Sequence, residues 1–221
     1  MSALMSGTIE NRKTIEDAFL KISAPRVLLR FGYPSAVEVP QKDLELLRRL
    51  VPQMNALCAP KIIVGELAVI DRSANALCLS GSVIVESKSL TKIMNGAKRV
   101  SLFAGTIGPA IEEKSTQAAA SDKNYREAML WDAFGSEAAE TLARHISNIV
   151  RQRARASGFR TTMRFSPGYG DLSLEFNRTI LDLLDAQAIG ITATDAFTLI
   201  PRKSITGLIG WISSKNNNDS A

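Results

Sequence analysis

The longest helical pattern in the chain, at residues 124–156, most constrains its fold. Apolar residues recur there every three or four positions, and an amphipathic helix of this length must bury its stripe. The stripe comprises Leu130, Phe134, Ala138, Leu142, Ile146 and Ile149, with Arg153 at its end. On the polar side, Glu140 and Arg144 are four residues apart and are expected to pair. His145 lies between Leu142 and Ile149, and we expect a core histidine rather than a catalytic one.

The clearest strand pattern is an antiparallel hairpin. Residues 62–70 and 76–85 are apolar and rich in β-branched side chains, and residues 71–75 between them are typical of a turn. Gly65 and Gly81 fall within these runs and indicate a bulge or the close approach of another backbone.

Further helices and strands are predicted along the chain. Helical spacing favours helices at residues 8–22, 42–56, 89–95 and 174–186, with Pro25 ending the first of them. Residues 98–104, 189–199 and 204–211 are predicted strands. This irregular order predicts an α+β (mixed α/β) fold, an antiparallel or mixed sheet flanked by helices. We expect a single domain over residues 1–221, with an ordered core at 8–212 and flexible tails at 1–7 and 213–221.

Composition excludes several classes of function. The net charge is +5, but the positive residues are spread along the chain and no block of lysines alternates with aromatic residues, so nucleic-acid binding is not expected. A basic face for an acidic protein partner fits the same charge. Cys58 and Cys78 are far apart and are expected to be buried, and with one histidine no metal site and no Ser-His-Asp centre is predicted. The chain has no signal-peptide pattern and no membrane-spanning window, so we expect a soluble cytoplasmic protein.

The segment Arg164-Phe165-Ser166-Pro167-Gly168-Tyr169-Gly170-Asp171 is the strongest candidate for a functional site. A short polar and apolar run precedes it and a helical pattern follows, which predicts a strand-to-helix turn with Asp171 or Ser173 as the helix cap. Glycines allow close approach of another molecule, and free backbone donors beside a guanidinium and a ring suit a small anionic or adenine-bearing ligand. The alternative is a plain turn with Tyr169 packed on its surface.

A second corner, Gly105-Thr106-Ile107-Gly108, connects a predicted strand to a helix that starts at Pro109. The unpaired amides of a helix start make this corner a possible anion site. It lacks the glycine spacing of a dinucleotide fingerprint, and a tight strand-to-helix turn is the other interpretation.

Two segments together resemble the activation domain of cobalamin-dependent methionine synthase, and especially the short stand-alone proteins like it. The first is Arg164-x-x-x-Gly168-Tyr169. The second runs from Ile189-Gly190-Ile191-Thr192 through Phe197 to Pro201-Arg202-Lys203-Ser204-Ile205-Thr206-Gly207. Upstream, residues 130–137 are similar to the helix that precedes the motif in stand-alone members. The match covers about the last hundred residues.

The resemblance implies a function and a set of ligand contacts. The family's domain binds S-adenosylmethionine and docks over a corrinoid, which is reduced by flavodoxin or a similar donor and then methylated. No catalytic side chain and no metal ligand are then needed, because positioning the methyl group is enough. By analogy, the binding residues are Arg164 for the carboxylate, Ser166, Pro167 and Gly168 for polar groups, Tyr169 for the adenosine or the sulfonium, and Lys203 and Ser204 from the second loop.

This sequence departs from the family's pattern in two places. The multidomain enzymes carry a Trp-Tyr pair where this chain has Leu208-Ile209, and the acidic residue for the ligand's amino group has no clear counterpart here. No Asp-x-His-x-x-Gly motif is present, so cobalamin is expected to arrive on a partner protein.

The sequence leaves three candidate functions. The first is an accessory or separate subunit, rather than a complete enzyme, that supports reductive methylation of the corrinoid of cobalamin-dependent methionine synthase or another corrinoid protein. The second is a non-catalytic module of the same fold that docks on a corrinoid protein without binding S-adenosylmethionine. The third, an unrelated small-molecule enzyme, would need an acid or a base that the sequence does not display.

Overall fold

The centre of the structure is a seven-stranded antiparallel sheet. The computed structural model describes residues 9–16, 18–34, 38–120 and 124–214. The strands are β1 (Glu10–Glu16), β2 (Lys61–Arg72), β3 (Ala76–Leu79), β4 (Val83–Glu86), β5 (Ala97–Thr106), β6 (Phe159–Thr161) and β9 (Ser204–Ser213). They run in the order β4-β3-β2-β5-β9-β6, and β1 pairs with the free edge of β2 beside β3. Short strands β7 (Thr192–Ala193) and β8 (Leu199–Ile200) form a separate hairpin.

Helices cover both faces of this sheet. One face carries α1 (Ala24–Phe31), α2 (Gln41–Leu57), α4 (Ala110–Ala119) and α5 (Tyr125–Ala156), and the other carries α3 (Lys88–Ile93) and α6 (Phe176–Leu184). Two apolar cores result. The first contains the stripe of α5 with Phe103, Ile209 and Trp211, and the second packs α3 and α6 on Val100, Leu102 and Leu208. The predicted α+β architecture and the long helix are confirmed.

The predicted helix at residues 8–22 is wrong. Residues 10–16 are strand β1, paired antiparallel with β2 so that Ile15 lies opposite Ile62. Phe19, which the helical stripe would have buried, is exposed. The unpaired amides and carbonyls at the edge of β2 explain the difference, because pairing them outweighs a weak local helical preference. Pro25, predicted to end that helix, instead lies in the first turn of α1, where its missing N–H costs nothing.

Two predicted strands are broken by turns. Residues 76–85 form β3 and β4, which pair with each other across a tight turn at Ser80–Ser82, and Gly81 there has a φ of 74°. Residues 189–199 contain β7, the first residue of β8 and a turn between them, which is held by a hydrogen bond from the Thr194 amide to the Thr198 carbonyl. β9 extends through Ser213, one residue into the predicted tail, and the rest of both predicted tails lies outside the described residues except Ser214.

Buried carboxylates fasten the helices to one another and to the sheet. Asp43 of α2 accepts hydrogen bonds from Tyr33 and Arg126, and Glu66 of β2 pairs with Arg99 and Arg153. None of the helices within the described ranges has the length and apolar character needed to cross a membrane.

Within the part of the chain that the structure describes, Glu137 of α5 is the carboxylate with the most arginine partners. It is buried, and it accepts hydrogen bonds from Arg30 of α1 at 2.9 Å and from Arg144 at 2.6 Å. Burial disfavours its charge, but the hydrogen bonds and positive charges of Arg30 and Arg144 outweigh that effect, so the pKa of Glu137 lies below its ordinary value. A lowered pKa in the folded state means that the ionised form stabilises the fold.

Replacing Glu137 by glutamine is expected to lower the free energy of unfolding by about 1–3 kcal/mol at neutral pH, because the charge-assisted bonds to α1 are weakened. The contribution should be complete above the unfolded pKa of about 4.3 and should be lost as the pH falls through the lower folded pKa. Urea denaturation of both proteins from about pH 7 to about pH 3 measures this difference.

The control is Glu45→Gln, at an exposed glutamate of α2 that accepts a hydrogen bond from Gln41. It should change the free energy of unfolding by less than about 0.5 kcal/mol. A difference between wild type and Glu137→Gln that grows on acidification would contradict the assignment.

Candidate functional site

The candidate segment begins as a continuation of the sheet. After β6, the Thr162 amide donates to the Gly210 carbonyl, and Phe165 and Leu208 exchange two backbone hydrogen bonds at 2.9 and 2.7 Å. From Thr162 to Phe165 the segment advances three residues, whereas β9 advances two from Gly210 to Leu208. The segment therefore contains a bulge. The bulge places residues 164–166 beside β9, before the chain turns toward α6. The predicted strand-to-helix corner is confirmed.

Arg164 reaches from this corner to helix α5. One of its terminal nitrogens lies 3.3 and 3.4 Å from the two carboxylate oxygens of Glu140, and the arginine side chain is 20% exposed. Charge-assisted hydrogen bonds are usually nearer 2.7–2.9 Å, so this pair is loose. In the structure, therefore, Arg164 is the ion-pair partner of Glu140, with longer contacts than a close pair has.

Lys203 lies on the same face of α5. Its amino group donates to Asp132 at 2.7 Å and to Ser136 at 2.9 Å. Asp132, Ser136 and Glu140 are spaced by four residues, so they lie one above another on the helix. The structure therefore brings Arg164 and Lys203, predicted from separate segments, to one polar stripe of α5.

Glu140 was missed as a site residue by sequence reasoning. It was assigned only to a pair with Arg144, which exists at 3.8 Å. Its spacing from Asp132 and Ser136 was the available signal, but nothing in the sequence showed that Arg164 would cross to this helix.

The backbone of the turn is less available than predicted. The Gly168 amide donates to the Leu172 carbonyl at 2.8 Å, and the Tyr169 amide donates to the Ser166 carbonyl at 3.1 Å. Pro167 has no N–H. The expectation of free donors at Gly168 is wrong, because these donors close the turn. Gly168 has a φ of 87°, which explains the glycine at this position.

A series of side-chain hydrogen bonds connects the corner to β9 and α6. The Ser166 hydroxyl donates to the Thr206 carbonyl at 2.7 Å, the Thr206 hydroxyl donates to Asn177 of α6, and the Asn177 amide donates to the Phe197 carbonyl at 2.9 Å. These hydrogen bonds connect the Arg-x-x-x-Gly-Tyr segment to the second motif segment. Asn177 was not predicted, and an amide on the buried side of an otherwise apolar helical stripe was its signal.

Gly207 lies where the corner meets the sheet. A Cβ at this position would lie 2.6 Å from the ring of Phe103 and 2.8 Å from the Phe165 carbonyl oxygen. Leu208 and Ile209, which stand where the multidomain enzymes have Trp-Tyr, are buried in the two cores. Both side chains are apolar, so neither provides the ring that the Trp-Tyr pair has at this position.

Tyr169 presents its ring to solvent. The side chain is 52% exposed, and its ring packs edge-on against Phe165 with the centroids 6.2 Å apart. Phe165 belongs to the core on the α6 face, whereas Arg164 contacts α5. The structure thus brings Tyr169 to the same corner as Arg164 without a direct contact between them.

Ser204 faces inward. It is buried, and its hydroxyl donates to Thr106 of β5 at 2.9 Å. Ser204 is the first residue of β9, so this hydrogen bond joins the start of β9 to the end of β5.

Asp171 does not cap α6. Its carboxylate accepts hydrogen bonds from the Ser87 hydroxyl and from the amides of Lys88 and Ser89 at 2.8 and 3.1 Å, so it caps α3 across the molecule. The Ser87 hydrogen bond, followed by the two amides, holds the pKa of Asp171 well below its usual range despite partial desolvation. Ser173 does serve the start of α6, where its hydroxyl accepts from the Glu175 amide.

The second predicted corner is not an anion site. The Gly108 amide donates to the Thr106 hydroxyl, and the Ile107 amide donates to the Lys203 carbonyl. Glu112 and Glu113 lie in the first turn of α4, so two carboxylates already face the positive end of the helix. Beside them is an open groove of about 440 Å³ between α4 and Ile200-Pro201, which neither Arg164 nor Tyr169 lines.

The two cysteines and the histidine are all partly exposed. Cys58 and Cys78 are free and half-buried rather than fully buried, and burial raises the pKa of the Cys58 thiol to about 11. His145 is half-buried, so the core position predicted for it is only partly reached. The described ranges hold no group of three His, Cys, Asp or Glu residues that could bind a metal ion.

The fold belongs to a known class of domain. A crystal structure of the MetH reactivation domain bound to AdoHcy matches 98% of this chain and 84% of that chain, with a TM-score of 0.61 and 14% sequence identity. At this identity the likeness shows the fold alone. A search of curated proteins found no match.

The sequence itself identifies the family. The profile described as "Vitamin B12 dependent methionine synthase, activation domain" matches residues 71–217, which is more than half of the chain. The chain therefore belongs to this family, and the resemblance drawn from the two motif segments is confirmed.

Replacing Asp171 by alanine is expected to make the amides of Lys88 and Ser89 exchange with solvent roughly two- to tenfold faster, because they lose their acceptor. Since the pKa of Asp171 is strongly lowered, protection of these amides in the wild type should persist in moderately acidic solution. Hydrogen exchange followed by NMR measures both effects. Asp182→Ala, at an exposed position on α6, is the control and should leave the two amides unchanged; equal exchange in both variants would refute the cap.

Proposed function

We propose that this protein binds S-adenosylmethionine and supports reductive methylation of the corrinoid of a cobalamin-dependent methionine synthase. Family membership and the fold shared with an AdoHcy-bound domain support the proposal. The observation that carries it is the loose Arg164–Glu140 pair at the corner. A cation and an anion side by side complement an amino-acid zwitterion, since Arg164 suits the ligand's carboxylate and Glu140 its ammonium group.

The other predicted residues take graded roles in this proposal. Tyr169 would lie against the adenosine or the sulfonium, where an exposed ring is favourable by roughly 0.5–2 kcal/mol. Ser166, Pro167 and Gly168 would shape the corner, with Ser166 fixing it to β9. Lys203 would add positive charge along the stripe of α5, and Ser204 would hold the start of β9.

The chemistry needs little more than placement from the protein. When bound, S-adenosylmethionine supplies the methyl group, and a flavodoxin-like donor supplies the electron that prepares the partner's cobalt to accept it. The corner would hold the sulfonium methyl in line with a cobalt carried by the partner, which is proximity catalysis. In this view the protein is an accessory subunit, and its single-domain organisation and cytoplasmic location stay predictions.

Isothermal titration with S-adenosylmethionine tests the proposal. Arg164→Ala should weaken binding by about tenfold or more, because a charge-assisted bond to the ligand carboxylate is lost. Arg160→Ala, at an exposed arginine of the neighbouring strand β6, is the matched control and should bind as wild type does. Absence of binding to folded wild type at millimolar ligand, or equal affinity of Arg164→Ala, would refute it.

A second candidate function is docking on a corrinoid protein without the nucleoside. The closed amides of Gly168 and Tyr169 and the buried Leu208 and Ile209 favour it, since they remove contacts expected for the ligand. A pull-down with a methionine synthase that lacks its own activation domain separates the two functions. Docking retained by Arg164→Ala, together with no titration signal, would support the second.

A further inference from the structure

Three arginines from two helices converge on the buried Glu137. Arg30 and Arg144 donate to its two oxygens, and Arg26 lies 4.0 Å away. Their side chains are 56% exposed for Arg26, 38% for Arg30 and 39% for Arg144. We call these three residues the arginine cluster.

The arginine cluster is continuous with the proposed ligand corner. Arg144 lies 3.8 Å from Glu140, and Glu140 contacts Arg164. The chain of contacts thus holds four guanidinium groups and two carboxylates, which leaves an excess of two positive charges. Within this chain of contacts, Arg144 lies one helical turn from Glu140, the residue that contacts Arg164, and the arginine side chains of the cluster are partly exposed to solvent.

Glu137 holds these arginines but leaves some of their hydrogen-bond donors unused. Arg30 uses its Nε in the contact with Glu137, and its terminal nitrogens make no hydrogen bond to the residues that the structure describes. Among the described parts of the chain, the ion pair of Arg26 is the 4.0 Å contact with Glu137. Fixed guanidinium groups with remaining donors are well suited to carboxylates, because less side-chain freedom is lost on binding.

We propose that the arginine cluster is a docking surface for an acidic face of the corrinoid-carrying protein. This inference rests on the proposed function. If a methyl group held at Arg164 is to reach the partner's cobalt, the partner must stand over the corner, and the Arg144–Glu140 contact joins the cluster to that corner. The contacting surface of the partner is then expected to carry Asp or Glu residues.

The exposure of the cluster favours a protein over a small anion. Charges that are a third to a half exposed bind a free anion weakly, since water and salt screen each contact. On a protein surface several such contacts act together, and they accelerate association as well.

The test measures docking to the cobalamin-loaded corrinoid module of a methionine synthase that lacks its activation domain. Arg26→Glu should weaken docking by about tenfold in about 50 mM salt, and by less in about 200 mM salt. Arg151→Glu is the matched control, since it makes the same charge change at an exposed arginine bonded only to Asn148. It should change affinity by less than about twofold. Unchanged thermal midpoints would show that both variants are folded.

The possible outcomes distinguish the docking surface from the proposed function on which it rests. Equal weakening by Arg26→Glu and Arg151→Glu would mean general charge attraction and would overturn the docking surface. Undiminished docking of Arg26→Glu would overturn it as well, while S-adenosylmethionine binding, measured separately, would leave the proposed function standing. Failure of the wild type to dock would overturn both.

Discussion

The backbone pairing of β9 with its two neighbours is the constraint on which the candidate site depends. β5 fixes one edge of β9 from Thr106–Ser204 to Ala97–Ile212, and β6 and the bulged segment after it fix the other. Because the motif segment is held by this second edge, Arg164 can reach α5 while the neighbouring Phe165 enters the opposite core. One register therefore places a cation and an aromatic anchor on different sides of the same strand.

Ion pairs between buried carboxylates and arginines hold the helices and the sheet together. Each of the buried carboxylates Asp43, Glu66 and Glu137 is matched by arginines from another element, so none is left as an uncompensated charge. The same arrangement leaves arginine side chains half in solvent. In this basic chain, the residues that hold the helices together also shape the electrostatic surface beside the corner.

Much of the fold could be read from periodicity, and the errors have local causes. The long apolar stripe from Leu130 to Ile149 and the β2–β3 hairpin have strong patterns, and both were predicted. β1 was missed because it has one partly buried residue, Ile15, and because its pairing is dictated by β2, a strand about fifty residues further along the chain. For the site, the motif predicted the corner and Tyr169 at its surface. It could not show that Glu140 faces Arg164 or that Asp171 reaches α3, since both contacts arise from packing between distant elements.

The glycine at position 207 limits how the corner can deform. With no side chain at Gly207, β9 and the Phe165 carbonyl approach closely, and two backbone hydrogen bonds between Phe165 and Leu208 fix their register. The loop at residues 167–174 is closed instead by a few backbone hydrogen bonds within the turn. We therefore expect the sheet to be the fixed side of the site and the turn that carries Tyr169 to be the side that adjusts to a ligand.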